Sequence, residues 1–433
     1  VLLAFLLDVG YMFFIYTTIF YLLLPFIFLR LLWRSRKNPA YRKRWNERLA
    51  LIPLQNNVSA IWVHAVSVGE VIAAIPLVKE LASTYHDHRI VMTTTTPTGM
   101  VQINRSLNNI VSSFYLPYDV PWCINRFIRV CNIKSCVILE TELWPNLLRC
   151  LSRNSVPVAL VNARLSPGSK SNYGYIKWFI KKCLNKIDVV IAQDKADALR
   201  FQDLGLDDFR LKVGGNVKFD IKVDDDCLQK GLALREKLGF ASRPTIVLSS
   251  THDGEESIWL SVYHKIKQEI PNVLLVVVPR HIERFDLVAR MFEKNNLTVA
   301  RYSKNDAVND DVDIYLVDAI GELMKFYAAA HVCFVGGSLV PIGGHNLIEP
   351  AVLGVPIVTG SYLHNFSYVK TLLASVDALY IRDDVDEISS VIVTLLNDKP
   401  LRDAIGKRAK DAIGENHGAL DKHMMIIDAF NII

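Results

Sequence analysis

Several groups of residues in this chain have the types and spacings that chemistry needs. His64-Ala-Val-Ser-Val-Gly-Glu70 closes an apolar run and leads into a helical pattern. A carboxylate at a helix N-terminus is kept ionised by the helix dipole and can accept a proton from a hydroxyl. The same spacing, Ser67 with Glu70 three residues on, also fits a capping box in which Glu70 would only bond the Ser67 amide. Residues 140–146, Glu-Thr-Glu-Leu-Trp-Pro-Asn, place two acids directly after the apolar Val137–Leu139. Acids in that position are costly unless paired or used, and a continuing strand would set Glu140 and Glu142 on one side of it. Their structural alternative is a salt bridge to Arg164. Lys218, in Gly-Gly-Asn-Val-Lys-Phe-Asp, is a second available cation that could instead bind a substrate acid.

The second half carries a different chemistry. Pro279-Arg280-His281 follows a very apolar run, and an Arg there can meet a phosphate with a fork of donors. Asp318-Ala-Ile-Gly-Glu-Leu323 forms a turn into a helix, followed by Gly336-Gly337-Ser338 and by Gly343-Gly-His-Asn-Leu-Ile-Glu-Pro350. Glycine turns ahead of a helix let the backbone approach a phosphate at the helix N-terminus. Glu349, just inside that helix, can accept two bonds from a ribose diol. The combination reads as a nucleotide-sugar site. Asp224-Asp225-Asp226 and Asp311-x-Asp313 resemble metal-binding DxD motifs, but their positions read as solvated charge. Thr251-His-Asp-Gly-Glu-Glu256 reads as a helix start with acids in its first turn.

Such residues need elements to hold them. Apolar runs predict strands at Ile61–His64, Ile90–Thr94, Val137–Glu140, Val158–Asn162 and Val189–Ala192. After an irregular charged stretch from Asp220 to Arg243 the scheme repeats at Thr245–Ser249, Val273–Val278, Ile314–Val317, Val332–Val335 and Val355–Val358. Amphipathic stretches alternate with these runs, which predicts two parallel, doubly wound α/β halves. Ligands of such sheets gather at the carboxyl ends of the strands, where the groups above lie.

The chain's 433 residues suit two or three domains, and 51% hydrophobic against 21% charged residues excludes a disordered chain. Seven scattered cysteines with no CxxC pair point to a reduced compartment and away from a structural zinc site. Val9 to Leu29 contains no charged residue, enough to cross a hydrocarbon core of about 30 Å, with Pro25 tolerated inside it. Asp8 precedes this stretch, and eight Lys or Arg against one acid, Glu47, occupy Arg30 to Arg48. That polarity excludes a cleaved signal peptide and predicts a single span with the remaining chain cytoplasmic, its basic flank on anionic lipid. The rest of the chain is almost neutral, so nucleic acid is not an expected partner. The apolar segment bears none of the motifs and is expected to be dispensable for folding.

Together the motifs resemble one family, the 3-deoxy-D-manno-octulosonic acid (Kdo) transferases of lipopolysaccharide synthesis. HAVSVGE, TTTTPTG (93–99), ETELWPN, VNARLS (161–166), GNVKFD (215–220), STHDGEE (250–256), PRH and GGHNLIEP occur in the family's order over essentially the whole chain. The resemblance implies a GT-B fold, two Rossmann-like domains facing a cleft, preceded by a transmembrane helix at the bacterial inner membrane. It implies CMP-Kdo as donor, a lipid A precursor as acceptor, and inversion without a metal in the transfer step. No cofactor is implied, since CMP-Kdo is a substrate. The family's catalytic base falls on Glu70 and its transition-state helpers on Glu140 and Lys218. Its CMP contacts fall on Pro279 and Arg280, on Ile320, Gly321 and Glu322, and on Asn346, Leu347, Ile348 and Glu349. The expected division is an anchor at 1–32, a basic juxtamembrane segment at 33–50 and an acceptor domain at 51–225. A linker at 226–243, a donor domain at 244–415 and a C-terminal helix at 416–433, packing back on the N-terminal domain, complete it. The alternative is another membrane-associated GT-B enzyme using a UDP-sugar and a lipid-linked acceptor.

Overall fold

The computed structural model describes residues 9–36, 39–53, 58–220 and 226–433. Asp8, Lys37, Asp224 and Asp225, which entered the charge readings above, lie outside the described residues. The chain divides into two compact units, residues 1–220 with 417–433, and residues 221–416.

The first unit is built on seven strands: β1 (Ala60–His64), β2 (Arg89–Thr94), β3 (Val111–Tyr115), β4 (Ile133–Leu139), β5 (Val158–Ala163), β6 (Val189–Ala192) and β7 (Leu211–Val213). They pair in parallel in the order β3-β2-β1-β4-β5-β6-β7. The second unit has β8 (Thr245–Thr251), β9 (Leu274–Pro279), β10 (Val299–Arg301), β11 (Ile314–Leu316), β12 (Val332–Val335), β13 (Ile357–Thr359) and β14 (Leu379–Ile381). These are also parallel, in the order β10-β11-β9-β8-β12-β13-β14. The chain reverses its direction of travel across the sheet between β1 and β4 in the first unit and between β8 and β12 in the second. Those are the two topological switch points.

Every strand anticipated from the sequence is present, two with the expected ends and the others with ends shifted by up to four residues. The four that were not anticipated are β3, β7, β10 and β14, and these are the four sheet edges. The reason is physical. An inner strand of a doubly wound sheet is covered on both faces and reads as an unbroken apolar run. An edge strand is half covered, so VSSFY, LKV, VAR and LYI carry no such run. Asp313 also departs from expectation. It is not solvated but buried before β11, accepting the Tyr263 hydroxyl at 3.1 Å and the Thr298 amide at 3.0 Å, and it pairs with Lys267.

The N-terminal apolar stretch is one helix, Val9–Arg34, which continues through Pro25. One of its faces is seated on the first unit. Phe13 is 3% exposed and meets Phe179 edge-on, with ring centroids 5.1 Å apart. The Tyr16 hydroxyl donates to Asp119 at 2.8 Å, Thr17 donates to Asn146 at 2.9 Å, and Phe28 packs on Trp45 and Tyr118. The opposite face leaves Phe14, Leu22, Phe26, Leu29 and Trp33 exposed. The segment expected to stand apart from the fold therefore supplies part of a hydrophobic core.

On the other side of the same sheet the C-terminal helix, Ala419–Ala429, buries Leu420, Met424 and Ile427. Asp220 accepts the amides of Gly418 (2.7 Å) and Leu420 and so fixes the start of this helix. In the second unit Gly406 touches the Gly354 carbonyl so closely that a Cβ would collide with it. The Lys399–Gly414 helix can pack there only with glycine.

Candidate active site

In the first unit the sequence-predicted groups meet at the β1/β4 switch point. Ser67 caps the Val68–Thr84 helix, its hydroxyl oxygen accepting the Glu70 amide at 3.3 Å. The Glu70 carboxylate accepts the Val66 amide and the Ser67 hydroxyl, each at 2.8 Å. The expected capping arrangement exists, with the Ser67 amide acting on Glu70 and the Val66 amide added to it. Burial pushes the Glu70 carboxyl above its ordinary range, against those hydrogen bonds, and the charge of Glu140 adds to the rise. A raised pKa makes the carboxylate a stronger proton acceptor than a free one.

Glu140 does not continue β4 as the alternation reading required. The strand ends at Leu139, and Glu140 turns to a left-handed φ of 56°, a strained conformation for a residue with a side chain. Its carboxylate pairs with Lys218 at 2.6 Å, while Arg164 is exposed. The Lys218 loop is positioned from below. Asn162, at the end of β5, accepts the Val217 amide through its side chain (3.2 Å), and the Asn162 amide donates to His423 of the C-terminal helix at 3.0 Å. Glu142, half-buried and bonded by the Trp144 indole N–H at 2.7 Å, faces the same charges. Burial, then the charges of Glu70 and Glu140, raises its carboxyl to about 7. The sequence put Glu142 beside Glu140 without distinguishing the two. Both are half-buried, and what sets them apart among the described residues is the cation that Glu140 receives.

In the second unit Arg280 is exposed just after β9, and its charge reaches His345 and Glu349. Asn346 donates to the Glu349 carboxylate at 3.1 Å and accepts the Ile348 amide at 3.1 Å. Pro279, Leu347 and Ile348 are buried around these groups. Ile320, Gly321 and Glu322 form a turn of their own beyond β11, where Gly321 has φ 92° and Glu322 bonds the Tyr302 hydroxyl (3.2 Å) and Lys325 (2.7 Å). Among the described residues no group of three or more His, Cys, Asp or Glu is arranged to hold a metal ion.

Sequence reasoning passed over two acids here. Glu255 and Glu256 do stand in the first turn of a helix, Glu255–Glu269, as expected, but they are 0% and 2% exposed. Glu255 accepts four backbone amides, from His252 (2.9 Å), Gly337 (2.7 Å), Ser338 (3.0 Å) and Leu339 (3.0 Å). It ties the loop after β8 to the glycine turn after β12, across the switch point. Glu256 receives Arg284 as a fork, at 2.8 and 2.7 Å, and the Thr251 hydroxyl. The available signal was the pair of acids next to Gly254 with an Arg downstream, and it does not stand out from ordinary helix starts.

A family model described as 3-Deoxy-D-manno-octulosonic-acid transferase (kdotransferase) matches residues 43–221. The chain is 37% identical over 423 residues to a 3-deoxy-D-manno-octulosonic acid transferase of Haemophilus influenzae, covering 96% of this chain and 98% of that one. It is 32% identical to one from Aquifex aeolicus, covering 80% and 88%. Among solved structures, a UDP-N-acetylglucosamine 2-epimerase aligns over 86% of this chain and 96% of its own with a TM-score of 0.56 at 12% identity. A glycosyltransferase from Rickettsia africae aligns over 87% and 99% with a TM-score of 0.55 at 12% identity. The structural likenesses support the fold, two Rossmann-like α/β domains of the GT-B class. The 37% identity over nearly the whole length establishes that the chain belongs to the 3-deoxy-D-manno-octulosonic acid transferase family.

Proposed function

We propose that this enzyme moves Kdo from CMP-Kdo onto a sugar hydroxyl of a lipid A precursor, with inversion at the anomeric carbon, as an early step of lipopolysaccharide assembly. The observation that carries the reading is the placement of Glu70 beside the Glu140–Lys218 pair at the first unit's switch point, in a chain of this family. In this reading the acceptor hydroxyl oxygen attacks the anomeric carbon and Glu70 takes its proton. The bond from that carbon to the CMP phosphate oxygen breaks, and the oxygen leaves with the electron pair. Lys218, poised by Glu140, steadies negative charge on the reacting sugars. The second unit holds the nucleotide: Arg280 at the phosphate, the Ile320-Gly321-Glu322 turn and the Asn346–Glu349 segment at the nucleoside. The reading needs no cofactor, and CMP-Kdo is consumed as a substrate.

The enzyme works at the cytoplasmic face of the bacterial inner membrane. Support comes from the exposed apolar face of the Val9–Arg34 helix and the basic residues that follow it, which suit lipid and anionic headgroups. Because Phe13 to Phe28 is seated on the first unit, a full span requires either that this face release its partners or that the first unit enter the lipid with it. The test of function is direct. Labelled CMP-Kdo and a tetraacyl lipid A precursor are incubated with the enzyme, and the product is weighed by mass spectrometry. Kdo-bearing lipid is expected, and transfer from a UDP-sugar instead would replace this reading by its alternative.

A further inference from the structure

Three histidines of the second unit lie together at its switch point, and the reaction as described gives them no task. His252 follows β8, His281 follows β9, and His345 follows the glycine turns after β12. The Nε2 atoms of His252 and His345 are 2.8 Å apart, and the rings lie within 5° of parallel with centroids 5.0 Å apart. Two imidazole nitrogens facing each other so closely hold one proton between them. With none, two lone pairs oppose; with two, the N–H groups collide. One ring therefore donates through Nε2, and the other, when neutral, carries its proton on Nδ1. His281 stands edge-on to His252, with centroids 5.2 Å apart at 80°. The Gly336-Gly337 turn lies flush against the pair, since a Cβ on Gly337 would stand 3.0 Å from His345 Cδ2 and 3.5 Å from His252 Cδ2.

The charged groups that face the pair are Arg280, Arg284 and His281 on one side of the balance and Glu255 on the other. Arg284 is itself forked on Glu256 and Glu255 bonds four amides, so Arg280 is the leading cation acting on the pair's buried member, His345. Burial, followed by Arg280, His252 and His281, holds His345 down to about 3. Burial and His281 hold His252 below its ordinary value, against Glu255. With these neighbours alone the pair is neutral at pH 7.

We propose that His252 and His345 form a proton-linked anion subsite, which takes up one proton when the phosphate of CMP is held beside Arg280. This rests on the donor-site reading given above. A unit charge about 5 Å away, in an effective dielectric near 20, moves a neighbouring pKa by about 2. A phosphate dianion moves it by about 4 to 5 on the same scale, enough to bring the pair into the neutral range. The added proton settles on an Nδ1, and the shared N–H···N bond spreads its charge over both rings. The phosphodiester of the donor carries one charge and the CMP that leaves carries two. The subsite therefore holds the leaving group more tightly than the donor, which favours the breaking of the sugar–phosphate bond.

The experiment is titration calorimetry of CMP into the full-length protein in detergent at pH 7.5, repeated in buffers of different ionisation heat. The parent is expected to take up about 0.5 to 1 proton per CMP, and none with cytidine. His345→Gln and His252→Gln keep a hydrogen-bonding side chain but cannot titrate. Each is expected to bring proton uptake close to zero and to weaken CMP by about 3- to 30-fold. Melting curves show that each variant is folded, and His252→Gln decides the matter should the more buried position not tolerate change. CMP binding by the parent without proton uptake overturns the subsite. So does uptake that persists unchanged in both variants, which would locate the proton on the nucleotide. A parent that does not bind CMP overturns the donor-site reading itself and the subsite with it.

Discussion

Glu70 is a cap and a candidate base at once, and the two roles make different demands on one carboxylate. The cap needs oxygen atoms that accept the Val66 amide and the Ser67 hydroxyl, and Gln supplies one. The base needs a site for a proton, and Gln has none. Glu70→Gln is thus expected to melt like the parent and bind CMP normally while transfer falls by about 10² to 10⁴. Transfer within a few-fold of the parent would demote Glu70 to a cap. In the parent, transfer should fall as pH drops through the raised Glu70 pKa, because the proton then occupies the accepting oxygen. Glu142 makes a stability prediction. Its folded pKa of about 7 lies above the ordinary value of 4.5, so the folded state binds this proton more tightly than the unfolded state does. The stability so gained is complete below about 4.5 and lost as pH rises through about 7. Glu142→Gln should then gain melting temperature on the parent between pH 5 and pH 8, and a difference that does not change with pH would show Glu142 to be unshifted. Arg280→Ala should weaken CMP by about ten- to a hundredfold through loss of a charge-assisted bond, read from the same calorimetry.

Among the elements, the loops at the second unit's switch point owe their shape to one buried side chain. Four amides from two loops converge on Glu255. Glu255→Ala leaves them without this acceptor, two of them buried, at about 1–3 kcal/mol for each amide that finds no substitute. A loss of at least about 3 kcal/mol is expected, together with weaker CMP binding, since Gly337 and His252 belong to the loops it ties. Denaturant unfolding read beside CMP affinity checks both parts. A variant as stable as the parent would mean that the loops hold their shape without this acceptor. The helix that Glu255 opens is preceded by Gly254, with φ 94° and no side-chain cap, so the carboxylate serves the loops and not its own helix.

For the whole molecule, the Val9–Arg34 helix joins a membrane question to a folding one. Deleting residues 1–34 removes Phe13 from a core, takes the Tyr16 hydroxyl from Asp119 and the Thr17 hydroxyl from Asn146. Asp119 is 3% exposed, and burial raises its carboxyl to about 6 even with the Tyr16 bond that lowers it. The truncated protein is expected to leave the membrane fraction at raised salt and to melt several degrees below the full chain, in line with a loss of about 2–4 kcal/mol. An unchanged melting temperature in detergent would show that the helix stands free of the first unit, as a simple transmembrane anchor does.

Composition and order in the chain were sufficient for the inner strands, the two-domain scheme and the motif positions, because these are local. An unbroken apolar run between amphipathic stretches has one stable use, a strand covered on both faces. Glu70, Glu140, Lys218, Arg280 and Glu349 could be singled out as candidates because their loops carry distinctive neighbours at the ends of such runs. What the sequence left undetermined depends on residues far apart in the chain. The edge strands are half covered and lack the signal of their inner neighbours. The choice of Lys218 over Arg164 as partner of Glu140 spans 78 positions, and the meeting of His252 with His345 spans 93. The cation that separates Glu140 from Glu142, and the burial that separates Glu255 from an ordinary helix-start acid, exist only once the sheets are assembled. The same holds for the N-terminal helix. Its hydropathy announced an apolar environment, but whether lipid or protein supplies it on each face was decided by the docking surface of the first unit.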